Sequence, residues 1–401
     1  MLIAARMFGE FFRKFKMPLV VGELIAGVVL GPTILGYYLP EVSEVIYTQN
    51  PHSTLALSGI INVSIVMLLF VAGMELNLSL IRQQGKAALS TSLFGLVIPF
   101  GLGFLSAFFA YEWFGSNSSD KLVFSLFIGT SMAISALPVI ARTLIDLDLF
   151  RTKIGSIIIT SAMFNDLIGW FLFSIIIGML KGSANHSVLY TSLFTLGYAA
   201  IMLTVGRIFI NKSLPWAEKN FTWPGGFLSL SLGLAFLGAA FTEYIGLHAI
   251  FGAFIIGIAI GDSVHVKEKT KDMVNQFVSN IFAPFFFVSI GFKVNFIAHF
   301  NLGITALILL LAMVGKIYGA YLGGRIGGLD KKESLAVGFG LNARGAMEII
   351  LASLALQAKL IGEEVFVAIV IMAVLTSVLA GPMLNYLIKG KILPDISNSN
   401  S

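Results

Sequence analysis

Cysteine is absent from the 401-residue chain, which excludes disulfides and thiolate metal sites. Histidine is nearly absent too: His52, His186, His248, His265 and His299 are scattered without ligand spacing, which argues against a metalloenzyme. Charge is scarce as well. Only 12% of residues are charged, 57% are hydrophobic, and mean hydropathy is +0.91. So few charges cannot clothe a soluble surface around that much apolar material. The composition is therefore that of an all-α polytopic membrane protein whose surroundings are the lipid bilayer. The 41 glycines suit close helix contacts, and the 35 phenylalanines suit lipid-facing and helix-packing surfaces. The net charge of +5 does not point to nucleic acid, because its meaning lies in which loops carry it. No cofactor motif is present, and none is expected.

Thirteen apolar segments follow one another, at 1–12, 18–38, 55–78, 87–113, 122–144, 154–180, 188–210, 225–244, 245–261, 277–296, 302–326, 335–356 and 365–388. Basic residues collect on alternate loops. One set is Arg13/Lys14/Lys16, Arg82/Lys86, Arg151/Lys153, Arg207/Lys212/Lys219, Lys267/Lys269/Lys271, Arg325/Lys331/Lys332 and Lys389/Lys391. The other set is only Lys121, Lys181 and Lys359. The positive-inside rule puts the first set, and with it the C-terminus, in the cytoplasm.

The sixth segment, 154–180, is interrupted at its middle by Asn165-Asp166. An Asp at a transmembrane helix centre costs about 2.5–3.5 kcal/mol on insertion scales, which makes Asp166 a functional candidate. The plainer alternative is that it pairs with a base and holds two helices together.

A repeat runs through the chain. Gly22, Gly27 and Gly31 of segment two have the spacing of Gly252, Gly257 and Gly261 in segment nine. The string Phe70-Val-Ala-Gly-Met-Glu-Leu-Asn77 of segment three returns, with one insertion, as Phe287-Val-Ser-Ile-Gly-Phe-Lys-Val-Asn295 of segment ten. Both matches share an offset of seven segments. An odd offset inverts the second copy, as in the inverted repeats of secondary transporters. The halves are then 1–180 and 225–388, with 188–210 a linker helix and 389–401 a short cytoplasmic tail. Because the first segment is short for its place in this repeat, the natural chain is expected to begin several residues upstream of Met1.

Segments five and twelve, partners at the same offset, carry breaks. Gly129-Thr-Ser-Met-Ala-Ile-Ser-Ala-Leu-Pro138 sets hydroxyl residues before a proline that removes a backbone donor, so a kink is expected near Ser135. Gly338-Phe-Gly-Leu-Asn-Ala-Arg-Gly345 puts glycines, Asn342 and Arg344 inside an apolar run. Matched broken helices point to a transporter's binding site. Other buried charges are few: Lys316 midway along segment eleven, and Glu348 one turn after Arg344. Desolvation disfavours the charged forms of both Lys316 and Asp166, and such a pair suits proton exchange. The alternative for Lys316 is a structural counter-ion. Arg344 is suited to offset the carbonyl ends of broken helices. Arg142, one turn after Pro138, and Glu348 fit structural or gating parts better than ligand parts.

These residues resemble the monovalent cation:proton antiporter superfamily. The similar branch contains bacterial sodium–proton exchangers, glutathione-gated potassium efflux systems and plant cation/proton exchangers. The motifs that carry the resemblance are Pro18-Leu-Val-Val-Gly-Glu-Leu-Ile-Ala-Gly-Val-Val-Leu-Gly-Pro32, Ser135-Ala-Leu-Pro-Val-Ile-Ala-Arg142, Asn165-Asp166, Gly246-Leu-His-Ala-Ile-Phe-Gly-Ala-Phe254 and Asn342-Ala-Arg-Gly345. The resemblance implies a single antiporter domain of thirteen helices, with two broken helices crossing in a six-helix core built from segments four to six and eleven to thirteen. It further implies a panel domain that forms a homodimer, and elevator-like movement of core against panel. Asp166 would then bind a cation (Na⁺ or K⁺) and a proton in turn, with Asn165, Thr130, Ser131 and Ser135 supplying further oxygens. The membrane would be the plasma membrane. Asn165 stands where electrogenic sodium exchangers of the family have Asp and points to one-for-one exchange, whereas Lys316 matches the electrogenic group. Potassium efflux relatives carry a nucleotide-binding domain after the membrane part. Only a short polar stretch follows the last segment here, so gating through such a domain is not expected.

The other classes are a cation channel, which needs a continuous polar lining, and a sensor that keeps an exchanger-like fold. An intramembrane hydrolase would need a partner carboxylate or a His/Ser set, which the sequence does not place beside Asp166.

Overall fold

A computed structural model describes residues 1–15, 17–41, 51–76, 85–114, 120–147, 149–150, 152–181, 188–221, 225–263, 266 and 268–388. Several basic loop residues named above (Lys16, Arg82, Arg151, Lys267, Lys389 and Lys391), with Asn77, Leu78 and the tail 389–401, lie outside this set. Among the described residues the structure is helical, without strands. The first half contains α1 (Leu2–Arg13), α2 (Leu19–Leu30), α3 (Pro51–Glu75), α4 (Lys86–Phe109), α5 (Lys121–Ala133), α6 (Leu137–Asp146) and α7 (Lys153–Lys181). Then come α8 (Val188–Ile201), a π-helical turn (Met202–Gly206) and α9 (Arg207–Asn220). The second half contains α10 (Gly225–Tyr244), α11 (Ala249–Gly261), α12 (Glu268–Lys293), α13 (Leu302–Ile326), α14 (Lys331–Leu341), α15 (Ala346–Gln357) and α16 (Glu363–Ile388).

Ten described helical stretches are long and apolar enough to cross a membrane, counting α2 with the short helical turn Leu35–Tyr38 that follows it as one and α5 with α6 as one, or eleven if the bent pair α14–α15 is one span. That is fewer than the thirteen apolar segments, although each segment is realised as helix. Two fall short in length. Helix α1 has 12 residues and α11 has 13, about 18–20 Å of rise against a ~30 Å core. Segment nine was expected from residue 245, but α11 starts only at Ala249. Gly246 has φ +86°, and His248 is extended and caps the new helix, its ring nitrogen accepting from Ile250 N–H at 3.4 Å. Segment ten, by contrast, extends backwards: α12 adds a polar, charged first turn from Glu268 that hydropathy alone does not reveal.

Three helix starts, those of α5, α13 and α14, are fixed by side-chain caps that supply partners the first turn lacks. Asp120 accepts from Leu122 and Val123 N–H at 2.9 and 3.1 Å at the head of α5, and Asn301 accepts from Ile304 N–H at 3.2 Å at α13. Asp330 and Glu333 form a reciprocal capping box at α14.

The helices pack in two groups. In one, α12 lies against α1, α2 and α3, and α11 lies between α3 and α10. In the other, α4 packs on α5, α7 and α13, while α16 packs on α13, α14 and α15. The repeated glycines are the crossing points of the first group. A Cβ at Gly27 would strike the Val288 carbonyl, and one at Gly31 the Gly291 carbonyl, so α2 is pressed onto α12. Likewise a Cβ at Gly257 would strike the Phe70 carbonyl, and one at Gly261 the Met74 carbonyl, so α11 is pressed onto α3. The glycine helix of each half thus packs on the Phe-Val helix of the other half, through backbone approach that only a missing side chain allows.

Candidate functional site

Two interruptions of helix make the site. Between α5 and α6, Ile134 (ψ 150°) and Ala136 (φ −105°, ψ 98°) are extended, and Pro138 occupies the first turn of α6, where a missing N–H costs nothing. The break falls where Pro138 and its preceding hydroxyl run lead one to expect it. Between α14 and α15, residues 342–345 leave the helix and the axis bends by 47°. The two breaks are joined: Ala136 N–H donates to the Ala343 carbonyl at 3.0 Å, and Ser135 Oγ donates to the Leu341 carbonyl at 2.9 Å. Backbone groups freed from the helices thereby satisfy one another inside the protein, which is the condition for irregular backbone at membrane depth.

Asn165 and Asp166 sit at the middle of the 29-residue α7, and both are buried. The backbone N–H groups of Ser135 and Leu137 interact with the Asp166 carboxylate. The carboxylate therefore faces the amino end of α6, where the helix dipole and unpaired N–H groups favour negative charge. One of its oxygens, Oδ1, has no hydrogen-bond partner. Nearly all buried polar atoms are paired in folded proteins, so this oxygen is left able to accept a further partner.

Two cations occupy the opposite pole. Lys316, 0% exposed on α13, donates to the carbonyl of Ala133, the last residue of α5. Oriented so that its oxygen meets a donor and its nitrogen an acceptor, the Asn165 amide accepts from Lys316 Nζ at 2.9 Å and donates to the Ser92 carbonyl of α4 at 2.9 Å. Arg344, 1% exposed, donates to the Ser131 carbonyl at 2.8 Å, to the Met132 carbonyl, and to Glu348 Oε1 at 3.0 Å. Both positive groups thus lie at the carbonyl end of α5, where the dipole is negative. Glu348, in the first turn of α15, also accepts from Ser131 Oγ at 3.3 Å.

Among the residues singled out from sequence, the structure gathers Asp166, Asn165, Ser135 and Lys316 around the first break. It sets Ser131, Arg344 and Glu348 beside them. Thr130 is buried in α5, and its hydroxyl turns back to the Leu126 carbonyl of its own helix at 2.8 Å. Arg142 lies apart, exposed and paired with Asp146.

Two further residues stand at the site although the sequence pattern alone assigns them no role there, Asn342 being legible only as part of the break. Glu75, at the end of α3, is electrostatically coupled to Asp166 and accepts from Asn275 Nδ2 at 3.0 Å. Its signal was a carboxylate in an apolar string read only as a repeat marker. Asn342, at the second break, is fully buried with neither amide atom partnered. Glu75 belongs to the first group of helices, so the site reaches across to the second.

Buried carboxylates, buried bases and paired helix breaks form a centre of opposed charges inside the protein. Residues 1–390 match the family model of the transmembrane sodium/hydrogen exchangers. The chain belongs to this family. Sodium/hydrogen exchangers are multi-pass membrane transporters, and the chain is accordingly not an enzyme. It is similar to the Na⁺/H⁺ antiporter NhaS4 of Synechocystis, 32% identical over 94% of this chain and 93% of that one. It is also similar to cation/H⁺ antiporter 17 of Arabidopsis thaliana, 30% identical over 95% of this chain. The exchanger spans 47% of that plant protein's length. Its fold resembles the solved structure of the sodium proton antiporter MjNhaP1 from Methanocaldococcus jannaschii, with TM-score 0.63, 17% identity, and 96% of both chains covered.

Proposed function

We propose that this exchanger moves Na⁺ or K⁺ in one direction and H⁺ in the other, and that the two compete for Asp166. The observation that carries the reading is the buried Asp166 carboxylate, set against the amino end of α6 with Oδ1 unpartnered. Ionised, it binds the cation, with oxygens of Asn165 and Ser135 at the break replacing part of the hydration shell; Ser131, beside Glu348, and Thr130, turned to Leu126, stand behind them. Protonated, it loses the charge that holds the ion. Because both ligands need one carboxylate, alternating exposure of the site to the two sides couples their fluxes.

The moving unit in this reading is the group α4–α7 with α13–α16, sliding as an elevator against the group that contains α2, α3, α11 and α12. The latter forms the panel of a homodimer, which a molecular mass of two chains in detergent tests and a monomer mass would refute. The cross-packing of Gly27 on Val288 and Gly257 on Phe70 supports inverted repeats at 1–180 and 225–388 joined by 188–210. With α1 and α11 counted, the spans number thirteen. The loop lysines and arginines support a C-terminal tail, 389–401, in the cytoplasm, and the membrane in this reading is the plasma membrane.

The test is proton movement in sealed proteoliposomes after adding Na⁺ or K⁺. A pH change that follows either cation supports exchange. Cation current without proton movement would favour a channel, and no movement of either would favour a sensor on an exchanger fold.

A further inference from the structure

We propose that the outer face of α13 and α14 is a binding site for an anionic glycerophospholipid, with an acyl chain in a groove between the helices and the headgroup phosphate on Lys331 and Lys332. The groove has a cavity volume of about 950 Å³ and is walled by Leu309, Met313 and Ile317 of α13, by Leu335 and Phe339 of α14, and by Met383 of α16. These positions recur every three or four residues on each helix, so each helix contributes one continuous face. From Ala306 to Tyr321 the groove follows α13 for about 22 Å, longer than the roughly 15 Å of one hydrocarbon leaflet. An acyl chain entering at one membrane surface therefore finds apolar wall along its length.

The charge at the mouth selects the headgroup. Lys331 and Lys332 line the groove at the start of α14, both exposed, and neither forms an ion pair with a described residue. The adjacent carboxylates are engaged elsewhere: Asp330 and Glu333 accept from each other's backbone N–H groups at 2.7 and 3.0 Å, and Glu333 also faces Lys153 at 4.0 Å. Tyr318 and Tyr321 line the same end, one to two turns from Arg325, as aromatic residues do at headgroup depth. An apolar slot that ends in two free lysines and two tyrosines complements an amphiphile with a negative head, whereas a zwitterionic head gains less from the same mouth.

The site lies on the back of the helices that build the exchange centre. Ile317 walls the groove while its neighbour Lys316 points inward, and α14 runs from Lys331 to the break at Asn342.

The experiment is native mass spectrometry of the purified, folded protein titrated with phosphatidylglycerol or phosphatidylcholine, with Lys331→Gln/Lys332→Gln and Val314→Trp as separate variants. Val314 lines the groove and is exposed, so a bulkier side chain there fills the slot without touching the core. We expect phosphatidylglycerol to bind more tightly than phosphatidylcholine. The double lysine variant should weaken it about 25-fold, as roughly fivefold per lysine implies, and Val314→Trp should weaken both lipids. Millimolar inorganic phosphate should not displace the lipid. Equal retention of the two lipids would overturn the proposal, as would loss in the lysine variant with Val314→Trp unchanged, or displacement by phosphate alone.

Discussion

Lys316 and Asn165 are joined by a 2.9 Å hydrogen bond from the ammonium to the amide oxygen, one residue ahead of Asp166. The lysine is thus held by neutral acceptors, the Asn165 amide and the Ala133 carbonyl, while it is coupled to Asp166 through space. Asp166 keeps an unpartnered oxygen, and its charge can change without breaking a direct ion pair.

Replacing Lys316 therefore acts on Asp166 through charge. Lys316→Ala removes a positive group from beside the carboxylate, which favours the protonated form and moves the pH profile of exchange to higher pH. The profile of cation-driven proton movement, taken across pH for wild type and variant, checks this. An unmoved profile would make Lys316 a purely structural residue.

Arg344 stands differently, because it ties both breaks together through Ser131, Met132 and Glu348. Arg344→Ala leaves the buried Glu348 carboxylate with only the Ser131 hydroxyl and no direct counter-charge, and two carbonyls without this donor, and the expected loss is about 3–5 kcal/mol of stability. The measurement is thermal unfolding in detergent. A variant that melts with the wild type and loses only transport would show that the guanidinium acts in exchange alone.

Glu75→Gln removes a negative charge that is coupled to the site from the neighbouring helix group. Cation affinity should fall several-fold while the fold stands, since glutamine still accepts from Asn275. Apparent affinity from transport at varied cation concentration reads this directly, and unchanged affinity would place Glu75 outside the site.

Gly27→Ala and Gly257→Ala each push a methyl into a facing backbone carbonyl and should cost about 1–3 kcal/mol. Gly101→Ala, whose Cβ would meet nothing within 4 Å, should be neutral. Melting temperatures of the three decide whether the repeated glycines are crossing points or merely flexible positions.

Much of this architecture is written locally. Apolar runs mark the helices because a bilayer leaves backbone groups no other partner, and Pro138 marks its own break because a proline carries no N–H. The repeat spacing of Gly22, Gly27 and Gly31 is legible for the same reason, as a pattern of omitted side chains. What is not local is harder to read. That Ser135 and Leu137 offer their N–H groups to Asp166, or that Asn165 bridges Lys316 to Ser92, depends on four helices meeting far apart in sequence. Glu75 escaped notice because nothing within its own segment ties it to residue 166. The short α11 escaped because hydropathy runs on through Gly246, where only a positive φ ends the helix.

The central claim is competition at one carboxylate, and the most direct measurement is cation binding to the purified protein as a function of pH, for wild type and Asp166→Asn. Competition predicts that the wild-type apparent Kd rises by up to tenfold for each unit of falling pH in the range where Asp166 binds its proton, and that Asp166→Asn inserts and folds but binds no cation. A wild-type Kd independent of pH, or binding retained in Asp166→Asn, would contradict the account.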